Sequence, residues 1–208
     1  MIDLMHGPQF AKTYVTNYLS VDLPRRLVQY RNGWGISEGD LPAPLKYLNY
    51  EPIALDDLPT IITVAISTAS MERIDFDRQH PIYRVTYNMR TYVWVKTEGS
   101  EQTTDMRDRL TTVVRSALLD KPCLNATDPR STFQAMIDET SMREEFSDLT
   151  LLKGDRVLAG AYLAYDMHIN EIVMREPIST LSEIELTVLN TSLENRLRLT
   201  ATPGEAYG

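Results

Sequence analysis

Three histidines, one cysteine and 29 acidic residues are the groups in this chain that could carry a reaction or hold a metal. His6 stands near the N-terminus and His80 before Pro81 in a turn-like stretch, far apart in sequence. His168 lies two residues from Asp166, a spacing that sets an imidazole and a carboxylate side by side on one face of a strand. Two ligands fall short of the four of a structural zinc site or the three of a catalytic one. Cys123 has no partner for an intramolecular disulfide and no CxxC spacing, so it reads as a small, partly buried residue. Asp56-Asp57 and Glu144-Glu145 are adjacent acids, whereas glycoside chemistry needs two carboxylates facing each other across a cleft. Gly33-Trp34-Gly35 lacks the spacing of a phosphate or dinucleotide loop, and neither G-x-S-x-G nor H-E-x-x-H occurs. The expectation is no catalytic, cofactor-binding or metal-binding residue, and a protein that works through its surfaces.

The elements that would present those surfaces follow from periodicity. Tyr83–Val95 alternates, with Tyr83, Val85, Tyr87, Met89, Val93 and Val95 on one face. At roughly 3.3 Å per residue this strand spans about 40 Å. Its second face carries Arg84, Thr86, Asn88, Arg90, Tyr92, Trp94 and Lys96, a mixture of cations and aromatics that a plain solvated face does not favour. Arg156–Ile169 alternates in the same way, with small residues among Val157, Ala159, Ala161, Leu163, Tyr165, Met167 and Ile169. Thr104–Leu119 is the clearest helix. Its stripe of Met106, Leu110, Val113, Val114, Ala117 and Leu118 is a candidate to pack on the small residues, and Thr103 or Thr104 is the expected cap.

Elsewhere, residues 8–20 read as a helix through Phe10, Tyr14 and Tyr18. Asp22 or Leu23 would start a second helical segment, with Pro24 in its first turn and Gly33 as its stop. Residues 33–60 read as an irregular loop punctuated by Gly and Pro, and 60–68 as a buried strand. A helix is expected near 131–138. After Pro177 two short alternating runs, around Ile184–Val188 and Leu197–Leu199, suggest a hairpin. The expected organisation is a domain over 1–177 and an extension over 178–208. The fold class is α+β: a mainly antiparallel sheet with helices packed on one face and a C-terminal β extension.

Acids exceed bases by 29 to 21, a net charge of −8, and the longest basic run is Arg25-Arg26. Sequence-blind DNA binding needs many cation–phosphate contacts, which argues against a nucleic-acid binder. No apolar run approaches the ~18 residues of a membrane span. MIDLMHGPQF lacks the basic start and apolar stretch of a secretion signal, so a cytoplasmic setting is expected. Tyr, Trp and Arg are the residue types favoured at protein interfaces. The interface candidates are therefore Trp34, Tyr47, Tyr50, Arg84, Arg90, Tyr92 and Trp94, joined by Ile184, Leu186 and Leu197 of the extension.

From residue 58 to 122 the chain resembles the tail terminator proteins of long-tailed bacteriophages. The matching residues are Asp77, His80, Pro81, Tyr83, Val85, Val93, Trp94 and Val95, then Arg107, Asp108, Arg109, Leu110, Val114, Arg115, Leu118 and Leu119 of an R-D-R-L-x-x-x-V-R-x-x-L-L helix. The resemblance extends over roughly residues 8–170, and the stretch after about 175 departs from a minimal terminator. It implies a structural virion protein at the head-proximal end of the tail, made in the host cytoplasm. It implies a ring of six copies that caps the tail-tube protein, ends tube polymerisation and presents a face to the head connector. Genomic DNA would pass through the lumen without specific binding, along a wall expected to be acidic or neutral and drawn from loops such as that of Asp56 and Asp57. A head-to-tail connector or stopper is the alternative within assembly, and a small-molecule binder or enzyme the alternative outside it.

Overall fold

The computed structural model of this chain describes residues 7–74, 81–122, 135–147, 150–152, 156–172, 185–188 and 197–200. The elements in chain order are α1 (Gly7–Trp34), β1 (Lys46–Leu48), β2 (Thr60–Arg73), β3 (Ile82–Thr97), α2 (Ser100–Asp120), β4 (Ala135–Phe146), β5 (Thr150–Leu152), β6 (Arg156–Ile172), β7 (Glu185–Val188) and β8 (Leu197–Thr200).

The two long alternations become the centre of one sheet. β3 and β6 pair antiparallel over their whole length, from Ile82↔Ile172 to Thr97↔Val157. This register sets Val85 beside Ile169, Tyr87 beside Met167, Met89 beside Tyr165 and Val93 beside Ala161, and all eight are buried. The sheet order is β1-β2-β3-β6-β4, with β5 also pairing β6; β1 runs parallel to β2 and the other pairs are antiparallel. The α2 stripe lies on the β3/β6 face, with Met106, Leu110, Val113, Val114, Ala117 and Leu118 buried, and Ala159 and Ala161 supply the small residues beneath. α1 joins the same layer through Ala11, Val15, Leu19, Leu23 and Leu27, one residue every fourth position. The fold is α+β, a mainly antiparallel sheet with both helices on one face. β7 and β8 pair antiparallel from Glu185↔Thr200 to Val188↔Leu197 as a separate two-stranded sheet. Among the described residues no helix is long and apolar enough to cross a membrane.

Four expectations need correction. α1 is one helix that runs through Pro24 instead of two segments meeting there. Pro24 sits on the exposed side, so the Ser20 carbonyl it leaves unpaired in the helix can face water, and the apolar stripe continues unbroken through Leu19, Leu23 and Leu27. An interior proline costs ~3 kcal/mol, whereas each buried leucine contributes about 1.5–3 kcal/mol, so the two leucines beyond Leu19 outweigh it. Asp22 consequently serves as an ion-pair partner in mid-helix, and the stop is Gly35, at φ +66°, where Gly33 was expected. Second, the helix expected near 131–138 gives way to β4, whose residues begin at Ala135. Ala135 and Ile137 alternate into the core against Ile169 and Met167, and an irregularity between Asp138 and Arg143 hides the alternation in sequence. Third, the 33–60 stretch contains β1, held at the sheet edge by three residues of β2. Fourth, the N-cap of α2 is Gly99, and Thr103 and Thr104 bond back to the carbonyls of Gly99 and Ser100 from inside the first turn.

Buried phenols give the core a testable pH dependence. Burial pushes the Tyr47 hydroxyl up to about 12, and raises Tyr87, whose hydroxyl donates to Glu171 at 2.8 Å, and Tyr165. A phenol raised in the folded state stays neutral there while the unfolded chain loses its proton near pH ~10. The stability it contributes is full below that value and declines as pH rises toward the folded pKa. Chemical denaturation at pH ~9 and at pH ~11 should therefore show a lower midpoint at the higher pH. A flat response would contradict the burial of these three rings.

Candidate protein interface on the open sheet face

The residues of the R-D-R-L helix turn out to be fasteners. Leu110, Val114 and Leu118 are fully buried. Arg107 donates to the Ser147 carbonyl at 2.9 Å, with its guanidinium 5.0 Å from the Phe146 ring centroid. Arg115 pairs with Glu144 at 2.8 Å, and Arg109 with Asp105 at 3.0 Å one turn earlier. Arg107 and Arg115 clasp α2 to the β4 end of the sheet.

The opposite sheet face carries no helix among the described residues, and its side chains follow from register. Trp94 lies beside Gly160, Tyr92 beside Tyr162 and Ile62, Arg90 beside Ala164 and Val64, Asn88 beside Asp166, and Thr86 beside His168. The Tyr92 and Tyr162 rings are 5.4 Å apart at 52°, and the Arg90 guanidinium sits 4.7 Å from the Tyr162 centroid. Tyr162 donates to Glu145, an acceptor that raises its pKa. Trp94 lies flat on the strand at Gly160, where an added Cβ would come within 2.6 Å of the indole. Glycine is required there for that close approach, not for its φ. Ile62 and Val64, also on this face, are buried at its margin.

Beyond the aromatics the face becomes a polar ladder. Ser67 donates to Asn88 at 2.6 Å and Asn88 to Asp166 at 2.6 Å. Ser70 donates to Thr86 at 3.0 Å, and Thr86 shares a hydrogen bond with His168 Nδ1 at 2.9 Å. The suspected His168/Asp166 pair is thus divided between two side-chain chains, and no group of three metal-ligating residues occurs among the described residues. His6, His80 and Cys123 lie outside them. On this face Lys46, Arg84, Arg90, Lys96 and Arg143 stand among Glu72, Asp138, Glu145 and Asp166. Charges of both signs thus mix across the face, whereas the whole chain carries a net charge of −8.

The other interface candidates are dispersed. Trp34 is 42% exposed at the end of α1, against Tyr30. Tyr50 is exposed, whereas Tyr47 packs against the core with its hydroxyl buried, so it is not the projecting ring that the sequence suggested. Arg84 is exposed at the far end of β3. Ile184 lies outside the described residues, and Leu186 and Leu197 are placed by backbone alone, in β7 and β8. Asp56 and Asp57 are both exposed; Asp57 pairs with Lys46 at 2.5 Å, and Asp56 and Glu51 have no ion pair among those described. Glu144 and Glu145 diverge, one to Arg115 under the sheet and one to Tyr162 above it.

Two pairings escaped sequence reasoning. Tyr162 completes the aromatic cluster from β6, and only the register shows that it meets Tyr92. Glu171 is fully buried, accepts from Tyr87 and from the Gly7 amide at 3.1 Å, and so places a carboxylate at the positive end of α1. No protein-family model and no curated protein matches this chain.

Proposed function

We propose that this chain is a structural subunit of a bacteriophage tail, assembling into a ring that caps the tail tube, ends its polymerisation and joins the tail to the head connector. The observation that supports this best is the open sheet face. A Trp94–Tyr92–Tyr162–Arg90 cluster, flanked by apolar residues and by charges of both signs, has the composition of a binding hot spot with a polar rim. The likeness of residues 58–122 to tail terminators supplies the assembly, six copies in a ring at the head-proximal end of the tail. In this reading the tube protein and a connector are the partners, and DNA passes through the lumen unread. A closed ring repeats one heterologous interface until it meets itself.

The test is to measure the mass of the purified protein by light scattering, then to mix it with growing tail tubes and image where it binds. Binding at one tube end with arrested growth is expected. A monomer that ignores tubes would overturn the reading, and binding to the head-side connector alone would move the protein to the stopper position. Tyr92→Ala should leave the thermal midpoint close to that of the parent while weakening association by about 2 kcal/mol, the scale of a truncated hot-spot residue. Unchanged association would remove the open face from the interface.

A further inference from the structure

The stretch between β1 and β2 is a loop that closes on itself. The two strands run parallel with Lys46 beside Thr60, so residues 49–59 leave the end of β1 and return beside its start. Three bonds tie the neck: Lys46 to Asp57 at 2.5 Å, the Leu45 amide to the Pro59 carbonyl at 2.8 Å, and the Thr60 hydroxyl to the Asp57 carbonyl. Asn49 anchors the outgoing limb by donating to Thr13 of α1 at 2.9 Å. Pro52, Ala54 and Leu55 line a cavity of about 80 Å³ around which the loop curls; Glu51 and Ile53 do not line it. Ile53 is fully exposed, and Glu51 and Asp56 are exposed with no ion pair among those described. A compact loop with a fastened neck is an ordered projection, so presenting it to a partner loses little conformational entropy. Its tip is one aliphatic side chain between two unpaired carboxylates.

The open sheet face carries a hollow of matching chemistry. Arg90 of β3 and Arg143 of β4 both stand opposite Ala164 of β6, so two arginines flank a methyl floor, two strand spacings or about 10 Å apart. The hollow measures about 370 Å³, and Ile66, at an irregularity of β2, supplies an apolar wall. Arg143 is exposed, and its side chain makes no hydrogen bond or ion pair among the described residues. Arg90 lies over the Tyr162 ring and has no ion pair among the described residues. The acids in the adjoining rows, Glu145 and Asp166, accept from Tyr162 and Asn88. No residue of the loop lines this hollow in its own subunit. The loop hangs from the β1 edge, whereas the hollow is centred on β6, toward the β4 edge. A projection and a hollow on different parts of one subunit make a heterologous contact, the kind that closes a ring.

We infer that the 49–59 loop of one copy docks in the Arg90–Ala164–Arg143 hollow of the next, with Ile53 on the alanine floor beside Ile66 and with Glu51 and Asp56 set against the two arginines. The loop as occupant follows from charge and shape: an apolar tip with two unpaired acids meets an apolar floor with two arginines that lack carboxylate partners. The second copy as its host rests on the ring reading above. Removing Ile53 from water supplies affinity, and the charges fix the orientation and reject wrong partners. Asp56 then lies in the seam between copies and not on the lumen wall.

The experiment uses the full chain. Glu51→Lys/Asp56→Lys and Arg143→Glu should each raise the concentration for half-assembly, read by light scattering, by more than about tenfold. The three changes combined should recover part of that loss. All three positions are exposed, with no ion pair inside the subunit among those described, so the thermal midpoints should match the parent. In a Cys123→Ser background, Ile53→Cys protein mixed with Ala164→Cys protein and a short bis-maleimide should give a cross-linked heterodimer. If wild-type protein forms rings, the charge variants assemble like it and no heterodimer appears, the docking is wrong and the ring reading stands. Tyr92 does not line the hollow. Assembly weakened by Tyr92→Ala but not by the charge variants would therefore keep the open face as an interface and remove the loop as its occupant. If wild-type protein stays monomeric at its highest soluble concentration, the ring reading fails and the docking fails with it. A cross-link confined within single Ile53→Cys/Ala164→Cys chains would seat the loop on its own subunit, and Ile53→Cys homodimers alone would pair loop with loop; either overturns the docking.

Discussion

Leu110→Ala is expected to lower the unfolding free energy by about 2–5 kcal/mol. Leu110 is fully buried at the middle of α2, with the β3/β6 sheet on one side and α1 packed alongside. The cost of such a truncation has two parts: the transfer of the lost carbons and the cavity that stays behind. The cavity part grows when the walls cannot move in. Here one wall is a strand pair hydrogen-bonded along its whole length, and α2 itself is tied to the sheet by Arg107 and Arg115. The value should therefore fall in the upper half of the range. Guanidinium denaturation of both proteins checks it, and a loss under about half a kilocalorie would mean that the stripe faces solvent.

Arg26→Met should cost about 3 kcal/mol, the scale of breaking a buried ion pair. Arg26 is 8% exposed in the seam between the helices and pairs with Asp22 on its own helix and with Asp120 at the end of α2, 2.5 Å away. Methionine keeps much of the volume and removes the charge, leaving the Asp22 carboxylate with the exposed Arg25 as its remaining cation. Asp120 is exposed and contributes little to the magnitude. Its direction is still informative. Arg26 holds the Asp120 carboxyl below its ordinary value, so the stability it adds is present above the unfolded pKa of ~4 and fades as pH falls through the folded one. The variant should lose part of that acid dependence. Asp22→Asn combined with Arg26→Met should recover stability relative to Arg26→Met alone, since no buried charge is left unpaired. A double variant no more stable than the single one would show that packing, not charge, sets the cost.

Period was the most legible property of this chain. β3, β6 and the α2 stripe are long and regular, and each appears within a few residues of its expected bounds. The hairpin of the extension was also legible, as backbone pairing. The misreadings share a physical cause: a tertiary contact that overrode a local signal. Pro24 is a strong local breaker, yet Leu23 and Leu27 on either side of it and the Arg26 ion pairs keep α1 whole. β4 is polar along most of its length because it lies on one side of the sheet with charged neighbours, and its irregularity shifts the pattern midway. Of the open face, Arg90, Tyr92 and Trp94 could be read from one strand. Their partners Tyr162, Gly160, Ile62 and Val64 could not, because a register is a relation between segments distant in sequence.

The indole of Trp94 has an optical consequence. The chain contains two tryptophans, and they occupy different settings: Trp34 near the solvent at the end of α1, Trp94 lying on the strand at Gly160 within the aromatic cluster of the open face. Trp34→Phe would leave a single tryptophan emitter, within the surface argued to meet a partner. Its emission maximum, lifetime and accessibility to a soluble quencher would then follow occupancy of that surface in real time, so the protein carries its own probe at the site in question.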